Sequence, residues 1–245
     1  MDKQALWNIS SETTWIKALK GGVSLQELIK TTKIPDEIPL KKSIICCDGR
    51  CPHNGREISL AGSGILMSPE TLEKFITETG VTTITSHSDC GAAKLAFSKL
   101  DINTAATFSD AGDYAKKWSQ DVARQYGLGY KHIEAVEFNA KLHHERGIIL
   151  DSTLKFHPSM FEGMPNMFIA NSPRYAEDEY IQAVVEVLTG IAFGDHGFGN
   201  LLTSDNPFYI LIGARDKAEE NKLTEICRKV VSNYGNSVVI KSCSL

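Results

Sequence analysis

The 245-residue sequence lacks a long apolar run, a large excess of charge of one sign, and enough cysteine for a disulfide framework. No stretch approaches the roughly 20 apolar residues that span a bilayer. The first twenty residues mix charged and apolar positions, which argues against a secretory signal. A formal net charge of −4 gives no electrostatic reason to expect nucleic acid or an anionic membrane as a partner. These absences predict a cytoplasmic protein that binds neither nucleic acid nor membranes.

The six cysteines are too few and too unevenly spaced for a disulfide scaffold. Four of them lie in or near two short motifs that also contain histidine and aspartate: Cys46, Cys47, Cys51 and Cys90. In a reducing compartment this pattern indicates metal binding or catalysis before it indicates disulfides. The other two, Cys227 and Cys243, follow no pairing pattern, and we interpret them as packing residues.

Strand and helix patterns alternate along most of the chain, and no internal repeat is visible. Apolar runs predict strands over residues 43–48, 57–61, 81–86, 130–138, 146–153, 208–212 and 237–241. Capped segments predict helices over residues 68–79, 110–126, 177–192 and 216–234. Residues 157–174 contain three prolines and are predicted to be a long excursion. The alternation predicts an α/β fold with a central, mostly parallel sheet flanked by helices.

The domain organisation predicted from these patterns has two parts. Residues 1–40 form an N-terminal helical extension, with Pro35 and Pro39 marking the passage into the main domain. Residues 41–245 form a single α/β domain that contains both cysteine motifs.

The two motifs follow two predicted strands. Cys46 and Asp48, two residues apart at the end of the first strand, point to the same face of the sheet, whereas Cys47 points away and is interpreted as a core residue. His87 and Cys90 follow the end of another strand. Ligands collect at the carboxyl ends of strands in an open α/β sheet, so the two motifs can meet there. Two thiolates and one imidazole suit zinc and leave a fourth tetrahedral position open.

These residues resemble the β-class carbonic anhydrases. That family carries Cys-x-Asp-x-Arg after its first strand and His-x-x-Cys further along the chain, and here residues 46–50 are Cys-Cys-Asp-Gly-Arg and residues 87–91 are His-Ser-Asp-Cys-Gly. Residues 58–62, Ile-Ser-Leu-Ala-Gly, and the helix before Val81 are also similar to that family. The resemblance covers roughly residues 43–96.

The resemblance implies a β-carbonic anhydrase-like fold and a zinc ion held by Cys46, His87 and Cys90. It implies reversible hydration of CO2 to bicarbonate by metal-hydroxide attack. Asp48 would accept the hydrogen bond of the zinc-bound water while Arg50 holds it, or Asp48 would occupy the fourth zinc position in a closed state. By analogy with the family, the chain is expected to form a homodimer or a higher homo-oligomer.

The sequence departs from the family at two positions, and it leaves other functions open. Gly49 stands where the family usually has serine, and Ser63 where it has asparagine. A hydrolase for COS or CS2 on the same zinc ligands and a non-catalytic, zinc-stabilised protein remain alternatives. A zinc set using Cys51 and His53 is also possible, as is a purely structural Asp48–Arg50 ion pair. Cys46, His87 and Cys90 could also be ordinary core residues.

Two further segments are ambiguous. Residues 143–146, His-His-Glu-Arg, could provide a proton shuttle or a second metal site, but a solvated turn between two strands explains them equally well. The glycine-rich segment 194–199 follows a helix and not a strand, which is not the context of a phosphate-binding loop. We interpret it as an ordinary loop.

Overall fold

The computed structural model describes residues 2–31, 42–52, 57–155 and 163–245. The predicted boundary between residues 40 and 41, the prolines before it, and His53 lie outside these ranges. Among the described helices, none combines the length and the apolar composition that crossing a membrane requires.

The described elements comprise an N-terminal helical part and two successive groups of strands and helices. The N-terminal helices are α1 (Lys3–Ser11), α2 (Thr14–Lys20) and α3 (Leu25–Lys30). The first group contains β1 (Ser43–Cys46), β2 (Glu57–Leu60), α4 (Pro69–Thr79), β3 (Thr83–His87), α5 (Gly91–Ser98), α6 (Ile102–Ala105), α7 (Ala111–Tyr126) and β4 (Gly129–Ile133). The second group contains β5 (Gly147–Asp151), β6 (Phe168–Asn171), α8 (Asp178–Phe193), β7 (Phe208–Ala214), α9 (Lys217–Val230) and β8 (Val238–Ser244).

The predicted α/β class with parallel strands flanked by helices is confirmed. The strands form two four-stranded sheets, in the orders β2-β1-β3-β4 and β6-β5-β7-β8, and every described pair is parallel. Each sheet therefore has the same order, in which its own first strand lies between its second and its third. This repeat of topology has no visible counterpart in the sequence.

The two sheets meet at their edge strands, where the sequence had predicted one continuous sheet. Strands β2 and β6 lie beside each other. The backbone N–H of Ser59 in β2 donates to the side-chain Oδ1 of Asn171 in β6, at 2.8 Å, and Asn171 Nδ2 donates to Asp151 Oδ2 at 3.2 Å. A side-chain amide thus satisfies the buried N–H where a continuous sheet would use a backbone carbonyl.

Two predicted elements differ from the structure. Strand β6 lies inside the predicted excursion 157–174, because Pro165 and Pro173 flank its apolar run and do not interrupt it. Strand β4 ends at Ile133 and not at Phe138, since residues 135–137 form a turn of 3₁₀-helix that the Glu137 side chain closes on the backbone N–H of Glu134.

The N-terminal helices α2 and α3 cover one face of the second sheet. They contribute a buried apolar set that packs on β5 to β8: Trp15, Ile16, Leu19, Leu25, Leu28 and Ile29. A larger core between the sheets and the helices α4, α5, α7, α8 and α9 contains apolar residues of both groups, such as Ile44, Ile84, Ile148 and Ile210. A shared core of this kind fixes the two sheets in one packed unit.

Candidate metal centre

The carboxyl ends of two adjacent strands bring the two cysteine motifs together. Strands β1 and β3 are neighbours, β1 ends at Cys46, β3 ends at His87, and Cys90 is the N-cap of α5. The chain leaves β1 towards β2 on one side and returns past β1 to β3 on the other, which opens a crevice between the two strand ends. The Sγ atoms of Cys46 and Cys90 are 3.9 Å apart, and one ligand atom of each of the three residues lies within 4.8 Å of the others.

The histidine is oriented for coordination. Nδ1 of His87 donates to the backbone carbonyl of Ser88 at 2.7 Å, which leaves Nε2 as the available ligand atom. Nε2 is buried and has no hydrogen-bond partner among the described residues. Since an orphaned buried nitrogen between two thiols is costly without a partner, Cys46, His87 and Cys90 could hold a metal ion.

Hydrogen bonds around Cys46 favour its thiolate. The thiols of Cys47 and Cys90 and the neighbouring His87 hold the pKa of Cys46 well below its usual range, while the pKa of Cys90 is raised by its contact with Cys46. The backbone N–H of Gly62 also donates to Cys46 Sγ at 3.3 Å. Burial disfavours protonation of His87, but the Cys46 thiolate outweighs it and raises the pKa of His87 to about 9. The surroundings therefore favour negative charge on the sulfur of Cys46, which is the form in which a cysteine binds a metal.

Asp48 and Arg50 form a buried ion pair beside this group. The backbone N–H and Nε of Arg50 both donate to Asp48 Oδ1 at 3.0 Å, and Nη2 donates to Oδ2 at 2.7 Å. The guanidinium lies 4.8 Å from the centre of the Phe138 ring and 3.7 Å from Asp89 Oδ2. The Asp48 carboxylate is 4.0 Å from Nδ1 of His87, so it is fixed next to the candidate metal ligands.

Cys51 belongs to the same region. Its Sγ forms a group within 4.8 Å with Asp48 and His87, and its thiol is fully buried. Burial raises the pKa of Cys51, which disfavours its thiolate. His53, its partner in the alternative zinc set, lies outside the described residues.

The sequence left open whether residues 143–146 provide a proton shuttle or second metal site or form a solvated turn, and it did not place His143 and Glu145 beside Asp48. Residues 143–146 are not a solvated turn, because His143, Glu145 and Arg146 are all buried. The backbone N–H of His143 donates to the carbonyl of His196 at 3.0 Å, which anchors the segment to the loop after α8. The Glu145 carboxylate lies against the backbone at Gly49. The glycine at position 49 was therefore the one feature of the sequence that could have indicated this contact.

A cleft of about 340 Å³ opens beside the candidate ligands. Its wall includes charged, imidazole and apolar groups: Asp89, Gly91, Lys94, His143, Ile191 and His196. Asp89 and Gly91 flank Cys90 along the chain, so the cleft lies next to the candidate ligands, although none of the three lines it. Residues 194–196 line it as well, so the glycine-rich segment forms part of a cleft wall and is more than an ordinary loop.

The corresponding positions of the second sheet carry different residues. Asp151 ends its first strand, Ala214 ends its third, and Asp216 caps the helix that follows. These positions match Cys46, His87 and Cys90 in the first sheet. The strand ends of the second sheet therefore lack the thiol and imidazole ligands, and the repeat of topology does not repeat the centre.

No protein-family model, curated protein or solved structure matches the chain.

Proposed function

We propose that the protein is a mononuclear metalloprotein with two cysteines and one histidine as ligands, and that its metal is zinc. Its proposed reaction is the reversible hydration of CO2 to bicarbonate. The observation that carries the proposal is the buried group of Cys46, His87 and Cys90, whose ligand atoms lie within 4.8 Å and whose Nε2 is orphaned among the described residues.

The donor set supports zinc over the other common divalent cations. Thiolate and imidazole are borderline-soft donors that zinc accepts in tetrahedral geometry, whereas calcium and magnesium require oxygen. Three protein ligands leave one position for a small molecule. When bound, zinc would supply a Lewis acid that lowers the pKa of a water molecule towards about 7.

The chain's own groups support chemistry on a water molecule. Asp48, held by three side-chain hydrogen bonds and one backbone hydrogen bond from Arg50, is oriented to accept a proton or a hydrogen bond next to His87. The cleft lined by Asp89 and Gly91 can hold a small molecule near that point. These features and the resemblance of residues 43–96 to the β-class carbonic anhydrases favour CO2 as the substrate.

The metal assignment is tested by elemental analysis of purified protein. We expect about one zinc per chain, since the second sheet lacks the ligands. The double variant Cys46→Ser, Cys90→Ser should lose the zinc, whereas the control Cys47→Ala, which removes an adjacent buried thiol outside the ligand group, should keep it. Full zinc content in the double variant, or loss in the Cys47 control, would show that the ligand set is wrong.

The activity is tested by stopped-flow CO2 hydration on zinc-loaded protein. Wild type should be active, and Asp48→Asn should keep its zinc and lose about 100-fold in rate, the usual scale for one proton-handling group. A normal rate in Asp48→Asn would make the ion pair purely structural. Turnover of COS or CS2 without CO2 hydration would identify a sulfur-analogue hydrolase, and no turnover with zinc retained would leave a non-catalytic zinc protein.

A further inference from the structure

A second group of potential ligands lies next to the cysteine–histidine centre. Asp48, His143 and Glu145 each place one ligand atom within 4.8 Å of the others, and all three are buried. His143 Nδ1 is 3.3 Å from Glu145 Oε2 and 3.7 Å from Asp48 Oδ1. The donors are two carboxylates and one imidazole, which differ in kind from the sulfur donors nearby.

Polar atoms of two of these residues, Glu145 and His143, lack hydrogen-bond partners among the described residues. Both carboxylate oxygens of Glu145 are buried without a hydrogen bond to any described residue, and the residue as a whole is only 2% exposed. Nδ1 of His143 is buried and likewise unpartnered within the described ranges, since its approach to the carboxylates does not have hydrogen-bond geometry. A buried ionised carboxylate is strongly disfavoured unless it is paired or coordinates a metal.

The nearby arginine does not neutralise Glu145. Arg50 directs its backbone N–H, Nε and Nη2 to Asp48, and its Nη1 lies 3.7 Å from Asp89. One guanidinium therefore faces Asp48 and Asp89 directly, of which Asp89 is also paired with Lys94, and Glu145 adds a further negative charge. A positive charge between Glu145 and His143 would balance the group.

The backbone and the cleft leave access to this position. A Cβ added at Gly49 would overlap Oε1 of Glu145 and lie 3.2 Å from its Cγ and Cδ, so glycine is what lets the carboxylate approach here. His143 lines the cleft. A hydrated cation can therefore reach the imidazole from solvent.

We propose that Glu145 and His143, with Asp48 as third donor, form a second cation site beside the cysteine–histidine centre. Its oxygen-rich donor set suits a harder divalent transition cation such as Mn²⁺, whereas the sulfur ligands suit zinc. The site does not depend on the proposed hydration reaction.

The test is a titration of the full-length, zinc-loaded protein with MnCl₂, followed by electron paramagnetic resonance of free Mn²⁺. Wild type should take up one Mn²⁺ per chain without releasing zinc. Glu145→Gln, which keeps shape and removes charge, should weaken Mn²⁺ binding by tenfold or more, the order of loss expected when a group that supports a metal is removed. The matched control is Glu186→Gln, which removes another carboxylate of the same cleft and should leave Mn²⁺ binding unchanged.

Two measurements keep the result interpretable. The zinc content of Glu145→Gln reports whether that variant is folded and whether its cysteine–histidine centre is intact. If Glu145→Gln does not fold, His143→Gln is measured in its place. Cys46→Ser, Cys90→Ser should still bind Mn²⁺ after losing zinc, which separates this site from the proposed function. The proposal is overturned if wild type takes up no Mn²⁺, as a protonated His143 balancing the charge would predict, or if Glu145→Gln binds as tightly as wild type.

Discussion

At the scale of single residues, the absence of a side chain at Gly49 makes room for the carboxylate of Glu145. The resemblance leads one to expect serine at position 49, yet any Cβ there would collide with the Glu145 carboxylate. Gly49, which differs from the family pattern, therefore lies against a buried glutamate from a distant segment of the chain. Glycine at position 49 and the buried position of the Glu145 carboxylate therefore depend on one contact.

This coupling predicts the effect of Gly49→Ala. The added methyl group should destabilise the protein by about 1–3 kcal/mol, the usual cost of overpacking a filled site. Urea unfolding measures the free energy of unfolding, and Gly49→Ala combined with Glu145→Ala should recover part of the loss. Gly190→Ala is the control, because a Cβ there meets no atom within 4 Å and the helix gains about 1 kcal/mol when glycine is replaced. Equal stability of Gly49→Ala and wild type would contradict the contact.

The site residues differ in whether a short stretch of sequence is enough to identify them. Cys46, Asp48 and Arg50 occupy one short motif, and His87 and Cys90 another, so strand ends alone suffice to suggest that they meet. His143 and Glu145 lie in a polar segment whose burial depends on the bond from His143 to the carbonyl of His196. Contacts between such distant segments have no periodicity in the sequence, and only the folded chain reveals them.

At the scale of elements, local pattern identified most strands and helices, but not β6 or the division into two sheets. Strand β6 has four residues, and flanking prolines obscure it. At the junction between the sheets lies Asn171, a polar residue at the end of a strand that nothing in the sequence singles out. Its side chain accepts a hydrogen bond from the backbone N–H of Ser59, which lies on a strand that is distant in the sequence.

Asn171→Ala should weaken the junction between the sheets. The Ser59 N–H would lose its acceptor, and an unsatisfied buried N–H costs about 1–3 kcal/mol. Thermal or urea unfolding of this variant should show that loss. Asn206→Ala, which removes an exposed amide bonded to Lys20, provides a comparison that should change stability little. If the two variants unfold alike, the Asn171 bond contributes nothing to the junction.

At the scale of the whole molecule, the repeated strand order bears on assembly. The edge strands β2 and β6 already meet within the chain, so β4 and β8 are the edge strands that pair with no further strand among the described residues. A partner subunit must therefore use those edges or the helical faces. The homodimer implied by the family resemblance thus requires a surface other than the β2 edge.

Sedimentation velocity over a range of concentrations tests the homodimer. We expect a species of twice the 27.0 kDa chain mass. A single species at the chain mass, unchanged with concentration, would mean that the pairing of the two sheets within one chain replaces association between chains.

The depth of the cysteine–histidine ligands has a consequence for how a metal would enter. Cys46, His87 and Cys90 are each exposed by 4% or less, so an ion can reach or leave them only when the surrounding structure opens. Exchange would then be limited by the rate of that opening and not by affinity. The metal found in the protein would then be the ion that was abundant while the chain folded, even though copper would bind such ligands more tightly at equilibrium.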